Sequence, residues 1–437
     1  MSPGIGGEAA LAQLEGARAL LDKGDFAQAE RIYRAVLDRI PGETEATNFL
    51  SMQLLARGQK SDALKLLEQA IQLKPGDSVL RRSRGLVHLQ ANQLDEALIE
   101  FRDALKLAPD HYIARLLLGD TLARMGNSHG ALVNYFGALV AAQLKGQWRD
   151  LQTTPPWQRQ LVAHATAYVV AGRRELFSRC LEPLRATYGR DTLTRVEAAL
   201  SMYLLDVAPS YQDDRQRPSF LYIPELPTHP YFDPQKFDWV AELELKTADI
   251  RAELSAVLAS GEKLDPFHDI ATDRIPDYLG GTSPTRAWDT YFFYRHGILL
   301  ESHGTQSPLT LAALDALPLT RIRDHAPESL FSVLRPGTEI KPHRGVTNAR
   351  LVVHLPLVIP EDCALSVGGE MHVWKEGQVV IFDDTFEHAA WNRSEHVRSV
   401  LIADVWNPYL DKVEQQAIGS LIAAIGDFNQ DCGINKM

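Results

Sequence analysis

The sequence predicts a multidomain α + β protein: an N-terminal all-α superhelix of stacked helix pairs, followed by a double-stranded β-helix, or jelly-roll, domain. Three observations carry this. The chain has 437 residues, more than one core ordinarily organises and enough for two or three domains. Pro41, Pro75 and Pro109 recur at 34-residue intervals, each closing a segment of helical pattern. In the second half the helical period gives way to short apolar runs punctuated by Pro, Gly, Asn or Asp.

The first half justifies itself repeat by repeat. Twelve positions before each proline stands a small residue, Ala29, Ala63 or Ala97, and eight before it an apolar one, Tyr33, Leu67 or Phe101. The alanines let two antiparallel helices approach closely, the larger side chain fills the gap to the next pair, and proline ends the second helix. Gly24-Asp25, Gly58-Gln59, Asn92-Gln93 and Gly126-Asn127 supply the turns. The phase continues through Gly119, Ala131, Tyr135 and Ala138, but Gln143 stands where a closing proline would be. The period is that of tetratricopeptide repeats, about four of them over residues 1–143. Stacked pairs of this kind form a concave groove suited to a peptide or protein. Asn48 and Arg82, at first-helix positions near that groove, are expected to be solvated surface residues.

Residues 144–210 read as a helical extension and linker, with apolar spacing in Leu161, Ala165 and Val169 and again in Leu176, Leu181 and Leu184. Around Pro209 to Pro234 the texture turns to Pro, Asp, Arg and aromatic residues, marking the entry to a new domain over 211–410. Its strand candidates are Tyr291 to Tyr294, Leu330 to Leu334, Leu351 to Leu357, Val379 to Phe382 and Val400 to Val405. Residues 411–437, with Ile418, Leu421 and Ile422, form a packing helix at the C-terminus.

Composition narrows the function classes. With 45 Lys+Arg against 56 Asp+Glu the formal charge is −11, which argues against nucleic acid or an anionic membrane as the main partner. No apolar run approaches a membrane-spanning length and no basic, apolar leader opens the chain, so a cytoplasmic location is expected. Cys180, Cys363 and Cys432 are three, far apart and without a CxxC pair, as suits a reducing compartment.

Two segments concentrate polar residues in apolar surroundings: FSVLRPGTEIKPHRGVTNARLVVHLPL from Phe331, and WKEGQVVIFDDTFEHAAWNRSEHVRSVLIADVWNP from Trp374. His343 is read in a loop before the strand holding Arg350 and His354, and His388 in a loop after the strand that ends at Phe382. Two imidazoles at the rims of neighbouring strands can converge on one divalent metal, and imidazole suits Fe(II). The carboxylate that commonly follows the first histidine by two residues is absent, since that position is Gly345.

The order of these motifs, with LPTHPYFDPQKFDWV and WDTYFFYRHG ahead of them, resembles the aspartyl/asparaginyl β-hydroxylase family over roughly residues 219 to 410. The resemblance implies an Fe(II)- and 2-oxoglutarate-dependent dioxygenase, consuming O2, with a metal site of two histidines and no carboxylate, so Gly345 agrees with it. It implies His343 and His388 as the catalytic iron ligands and Arg398, ten residues after His388, as the grip on the distal carboxylate of 2-oxoglutarate. A guanidinium makes two parallel hydrogen bonds to a carboxylate, which suits that role. Ser332 aligns with a serine that assists the same carboxylate, and His354 with a residue near the metal-chelating end. Arg350, on the same strand face, is placed at either the cosubstrate or an acidic substrate side chain.

The sequence departs from the family at Val352, where members acting on epidermal-growth-factor-like domains carry arginine. Asp383 and Asp384 are expected to orient the loop or His388 rather than to ligate. Trp374, Trp391 and Trp406 read as core or rim packing. The implied reaction is hydroxylation of the β-carbon of Asp or Asn in a polypeptide held partly by the repeats. Two other readings stand beside it: an oxygenase acting on a small molecule or peptide natural product, and a repeat scaffold with a silent jelly roll. Joint retention of His343, His388 and Arg398 speaks against the scaffold.

Overall fold

The computed structural model describes residues 5–261, 264–266, 275–282 and 287–434. They form two compact units, one of residues 1–173 with 428–437 and one of residues 174–427.

In the first unit eight helices pair as the repeat predicts: α1 (Ile5–Asp22) with α2 (Phe26–Arg39), α3 (Thr44–Ala56) with α4 (Lys60–Leu73), α5 (Ser78–Gln90) with α6 (Leu94–Leu107), and α7 (Tyr112–Arg124) with α8 (Ser128–Leu144). Ala29, Ala63, Ala97 and Ala131 are wholly buried at the crossings, as are Leu67, Phe101 and Tyr135 in the gaps. The second helices α2, α4 and α6 each stop two residues before their proline, after 14 residues; α8, with no proline, runs to 17. The turn residues Gly24, Gly58 and Gly126 take φ of 78°, 77° and 80°, the left-handed region that glycine enters without penalty.

Asn48 and Arg82 are not the solvated residues expected. Arg82 donates to Asn48 Oδ1 at 3.1 Å across α3 and α5, Ser83 donates to the same oxygen, and burial lowers the guanidinium to about 10. The residues after α8 are helical, as α9 (Arg159–Tyr188) and α10 (Thr194–Tyr203). The last residues of the chain also pack within the first unit: Phe428 lies against Phe136 with ring centroids 5.2 Å apart, and Arg115 donates to the Cys432 carbonyl at 3.1 Å.

The second unit is built on two antiparallel sheets. The larger contains β1 (Tyr231–Phe232), β2 (Asp265–Pro266), β4 (Trp288–Arg295), β6 (Ser329–Leu334), β8 (Arg350–Val358), β11 (Val380–Phe382) and β13 (Arg398–Trp406), in the order β1-β11-β8-β13-β6-β4-β2, with β5 (Ile298–Leu299) on β4. The smaller runs β10-β9-β12-β7-β3, from β3 (Leu279–Gly281), β7 (Thr338–His343), β9 (Cys363–Val367), β10 (Glu370–His372) and β12 (His388–Asn392). From β6 to β13 the chain passes back and forth between the two sheets.

All five expected strands lie in the larger sheet, and none of the expected strands lies in the smaller. The cause is burial. One face of the larger sheet, with Leu351, Val353, Leu355, Leu401 and Ala403, packs on helical residues such as Val240, Ile250, Leu254 and Leu314. Its other face, with Leu334, Val352, Val380 and Phe382, meets Ile340, Cys363, Leu365 and Val367 of the smaller sheet. A strand buried on both faces reads as a continuous apolar run; β7 (TEIKPH) buries only Thr338 and Ile340 and is further masked by Lys341 and Pro342. His343 and His388 therefore sit at strand ends and not in loops.

The repeat packing has a direct test. A Cβ at Gly119 would fall 2.7 Å from Cδ1 of the fully buried Tyr135. Gly119→Ala is expected to destabilise the protein by about 1–3 kcal/mol through overpacking, read as a lowered helical melting midpoint by circular dichroism.

Candidate functional site

Antiparallel pairing of β12 with β7 puts His388 directly opposite His343, with ring centroids 4.0 Å apart. Each ring is keyed by a main-chain carbonyl two residues before it. His343 Nδ1 meets the Lys341 carbonyl at 2.8 Å and His388 Nδ1 the Phe386 carbonyl at 3.1 Å. A carbonyl only accepts, so both Nδ1 atoms carry the proton and both Nε2 lone pairs are left to bind a metal. Burial, reinforced by the neighbouring His343, lowers His388 to about 4, so this imidazole is neutral and in its ligating form at physiological pH.

No cluster of three or more His, Cys, Asp or Glu side chains able to hold a metal occurs among the described residues. Gly345 shows why no carboxylate joins the histidines from its usual place. A Cβ there would fall 2.1 Å from Asp384 Cγ, so Asp384 already fills that space. Its Oδ2 accepts from Arg350 Nη2 at 2.8 Å, while its Oδ1 is buried with no hydrogen-bond partner. Asp383 accepts from the amide and hydroxyl of Thr385 and from Gln216 Nε2 at 2.6 Å, fixing the segment that leads into His388.

The inward face of the larger sheet carries the second group of residues. Arg398 and Ser332, at 1% and 0% exposure, are hydrogen-bonded at 3.2 Å, Arg398 Nη1 donating to Ser332 Oγ. The same oxygen accepts from Trp288 Nε1 at 2.8 Å. With both lone pairs taken, the Ser332 hydroxyl has only its proton to offer. Arg398 has no carboxylate within ion-pair distance among the described residues, its Nε is buried and unpartnered, and burial lowers it to about 10. His354 lies nearby on the same face; its Nδ1 is likewise buried without a partner, and burial, then the Arg398 charge, holds it well below the usual histidine value and neutral. The rings of Phe382 and Trp374 flank it at 5.0 and 5.9 Å.

Of the six residues singled out from sequence, His343 and His388 meet across one strand pair, and Ser332 and Arg398 across another region of the interior, with His354 between. Arg350 takes a different role. Both of its amino groups are engaged, one by Asp404 and one by Asp384, and those carboxylates keep the guanidinium above its ordinary value against the effect of burial. Protein carboxylates thus engage Arg350 where they do not engage Arg398. Sequence reasoning passed over Trp288, and took Trp374 for packing alone; a buried indole in a polar pocket carries no sequence signature beyond its residue type.

Two opposed imidazoles and a group of buried polar atoms without partners thus lie between the two antiparallel sheets. Residues 244–408 match the family described as aspartyl/asparaginyl beta-hydroxylase, and residues 14–78 and 82–143 the tetratricopeptide repeat, so the chain carries both modules. It is 36% identical over 188 residues to the ornithine lipid ester-linked acyl 2-hydroxylase of Rhizobium tropici, covering 42% of this chain and 63% of that protein. To aspartate beta-hydroxylase domain-containing protein 2 of Xenopus tropicalis it is 34% identical over 214 residues, 48% of this chain and 55% of the relative. The human aspartyl/asparaginyl beta-hydroxylase matches at 24% over 370 residues, 83% of this chain but 43% of its own length. The chain thus spans about half to under two thirds of these relatives. Among the described residues no helix is long and apolar enough to cross a membrane.

Two substitutions test the site's construction. Arg398→Met removes a buried charge that has no counter-ion, so the ligand-free protein is expected to gain about 1–3 kcal/mol in urea unfolding. Gly345→Ala is expected to lose a similar amount, about 1–3 kcal/mol, through collision with Asp384, read in the same urea unfolding.

Proposed function

We propose that the protein is an Fe(II)- and 2-oxoglutarate-dependent oxygenase that hydroxylates the β-carbon of Asp or Asn in a polypeptide, part of which lies in the groove of the repeats. The observation that carries this reading is Arg398: a guanidinium buried to 1% exposure, without a carboxylate partner, on the wall that also presents the proton of Ser332. A buried charge of this kind is costly unless a ligand completes it, and a ligand carboxylate is the natural acceptor. The opposed imidazoles of His343 and His388, each held through Nδ1 by a carbonyl, suit a divalent transition metal.

In this reading His343 and His388 hold iron, Arg398 and Ser332 hold the distal carboxylate of 2-oxoglutarate, and His354 faces its chelating end. With O2, iron and cosubstrate supply conversion of 2-oxoglutarate to succinate and carbon dioxide and transfer of one oxygen atom into an unactivated C–H bond. The protein's part is to aim the reaction and keep it dry. Val352, Phe382 and Val380 provide an apolar wall at 7%, 2% and 5% exposure, and Arg350 with Asp384 braces the loop beside the metal. Repeats ahead of the domain raise the effective concentration of a polypeptide at the site. The matches to aspartyl/asparaginyl hydroxylases support the same reaction class.

One observation favours a second reading. Val352 is apolar and Arg350 is already neutralised, so among the described residues the interior offers no free cation beyond Arg398 for a substrate carboxylate. An uncharged acyl chain fits such a wall, and the relative named as an ornithine lipid acyl hydroxylase keeps that substrate class beside the peptide one.

Anaerobic protein given Fe(II) and 2-oxoglutarate is expected to develop a visible metal-to-ligand charge-transfer band. His343→Ala and His388→Ala should abolish it, and Arg398→Ala should shift it to at least tenfold higher 2-oxoglutarate. No band in the parent protein would overturn the assignment.

A further inference from the structure

Trp374 lies between β10 and β11, 3% exposed, in the apolar layer between the two sheets. Its ring stacks on the guanidinium of Arg398, with Cζ 4.6 Å from the ring centroid. The face of the indole is satisfied by that cation; its edge is not. Nε1 is buried and has no hydrogen-bond partner, although an indole N–H can only donate and ordinarily finds an acceptor when buried.

We infer that Trp374 is a cosubstrate-binding residue, donating its Nε1 proton to the carboxylate that Arg398 and Ser332 grip. The inference rests on the proposed 2-oxoglutarate site and extends it. The arithmetic of donors and acceptors supports it. Arg398 Nη1 is already given to Ser332, and Nε is unpartnered with Nη2 making no hydrogen bond among the described residues. The Ser332 oxygen accepts twice and keeps one proton to give. With the Trp374 N–H, these amount to four donors on adjoining side chains, and a carboxylate presents about four lone-pair sites. A ring lying flat on the guanidinium also fixes its plane, and so the direction in which it meets a carboxylate.

The stacking face and the donating edge can be separated. Trp374→Phe keeps a ring over Arg398 and removes the N–H. The full-length Fe(II) protein is titrated anaerobically with 2-oxoglutarate and with 2-oxopentanoate, which chelates iron equally but lacks the distal carboxylate. In the variant the 2-oxoglutarate dissociation constant should rise at least tenfold while that of 2-oxopentanoate stays within twofold. Parental affinity for 2-oxoglutarate in Trp374→Phe, or equal weakening of both ligands, would overturn the inference and leave Trp374 a packing residue. Absence of any band in the parent would instead sink the cosubstrate site itself. Should the variant fail to fold, the parent carries the test: of its seven tryptophan indole N–H resonances, one must move downfield with 2-oxoglutarate and not with 2-oxopentanoate. If none does, the inference fails.

Discussion

Burial of the eight-stranded sheet on both faces is the constraint from which the rest of the second unit follows. Helical residues such as Ile250 and Leu254 close one side, and the five-stranded sheet closes the other. Every polar group on the inward face must then find its partner inside. Asn392 does so, donating to the Leu334 and His396 carbonyls, and Arg350 does so through Asp384 and Asp404. His354 Nδ1, Trp374 Nε1 and Arg398 Nε do not, and the three side chains are neighbours. These unmet groups lie side by side on the inward face, and the proposed cosubstrate site is built on them.

Much of the architecture was readable from the chain because its physics is periodic. The 34-residue spacing of Pro41, Pro75 and Pro109 and the alanines in phase with them specify helix pairs, and the structure places them where that spacing requires. The larger sheet announced itself through apolar runs such as Leu351 to Leu357. The smaller sheet did not. β12 reads HAAWN and β7 contains Lys341 and Pro342, so neither the strand signal of alternation nor that of continuity survives. That hidden sheet carries both histidines, so sequence motifs identified them while their cross-strand pairing stayed invisible.

The charged residues divide along the same line. The family resemblance of its motif pointed to Arg398. The engagement of Arg350 was not legible, because Asp384 and Asp404 reach it from positions 34 and 54 residues away. Asn48 and Arg82 fell outside expectation for a similar reason: equivalent positions of successive repeats become neighbours only once the helices stack. Long-range pairing converts what looks like surface polarity into internal bracing.

The carbonyls of Lys341 and Phe386 give the histidine pair one more property. Many metal-binding imidazoles are steered by a carboxylate side chain that a single base change can remove. Here the steering atoms belong to the main chain, two residues before each histidine. Substitution of almost any neighbour leaves those oxygens where they are, so the aim of the two lone pairs is insulated from mutation.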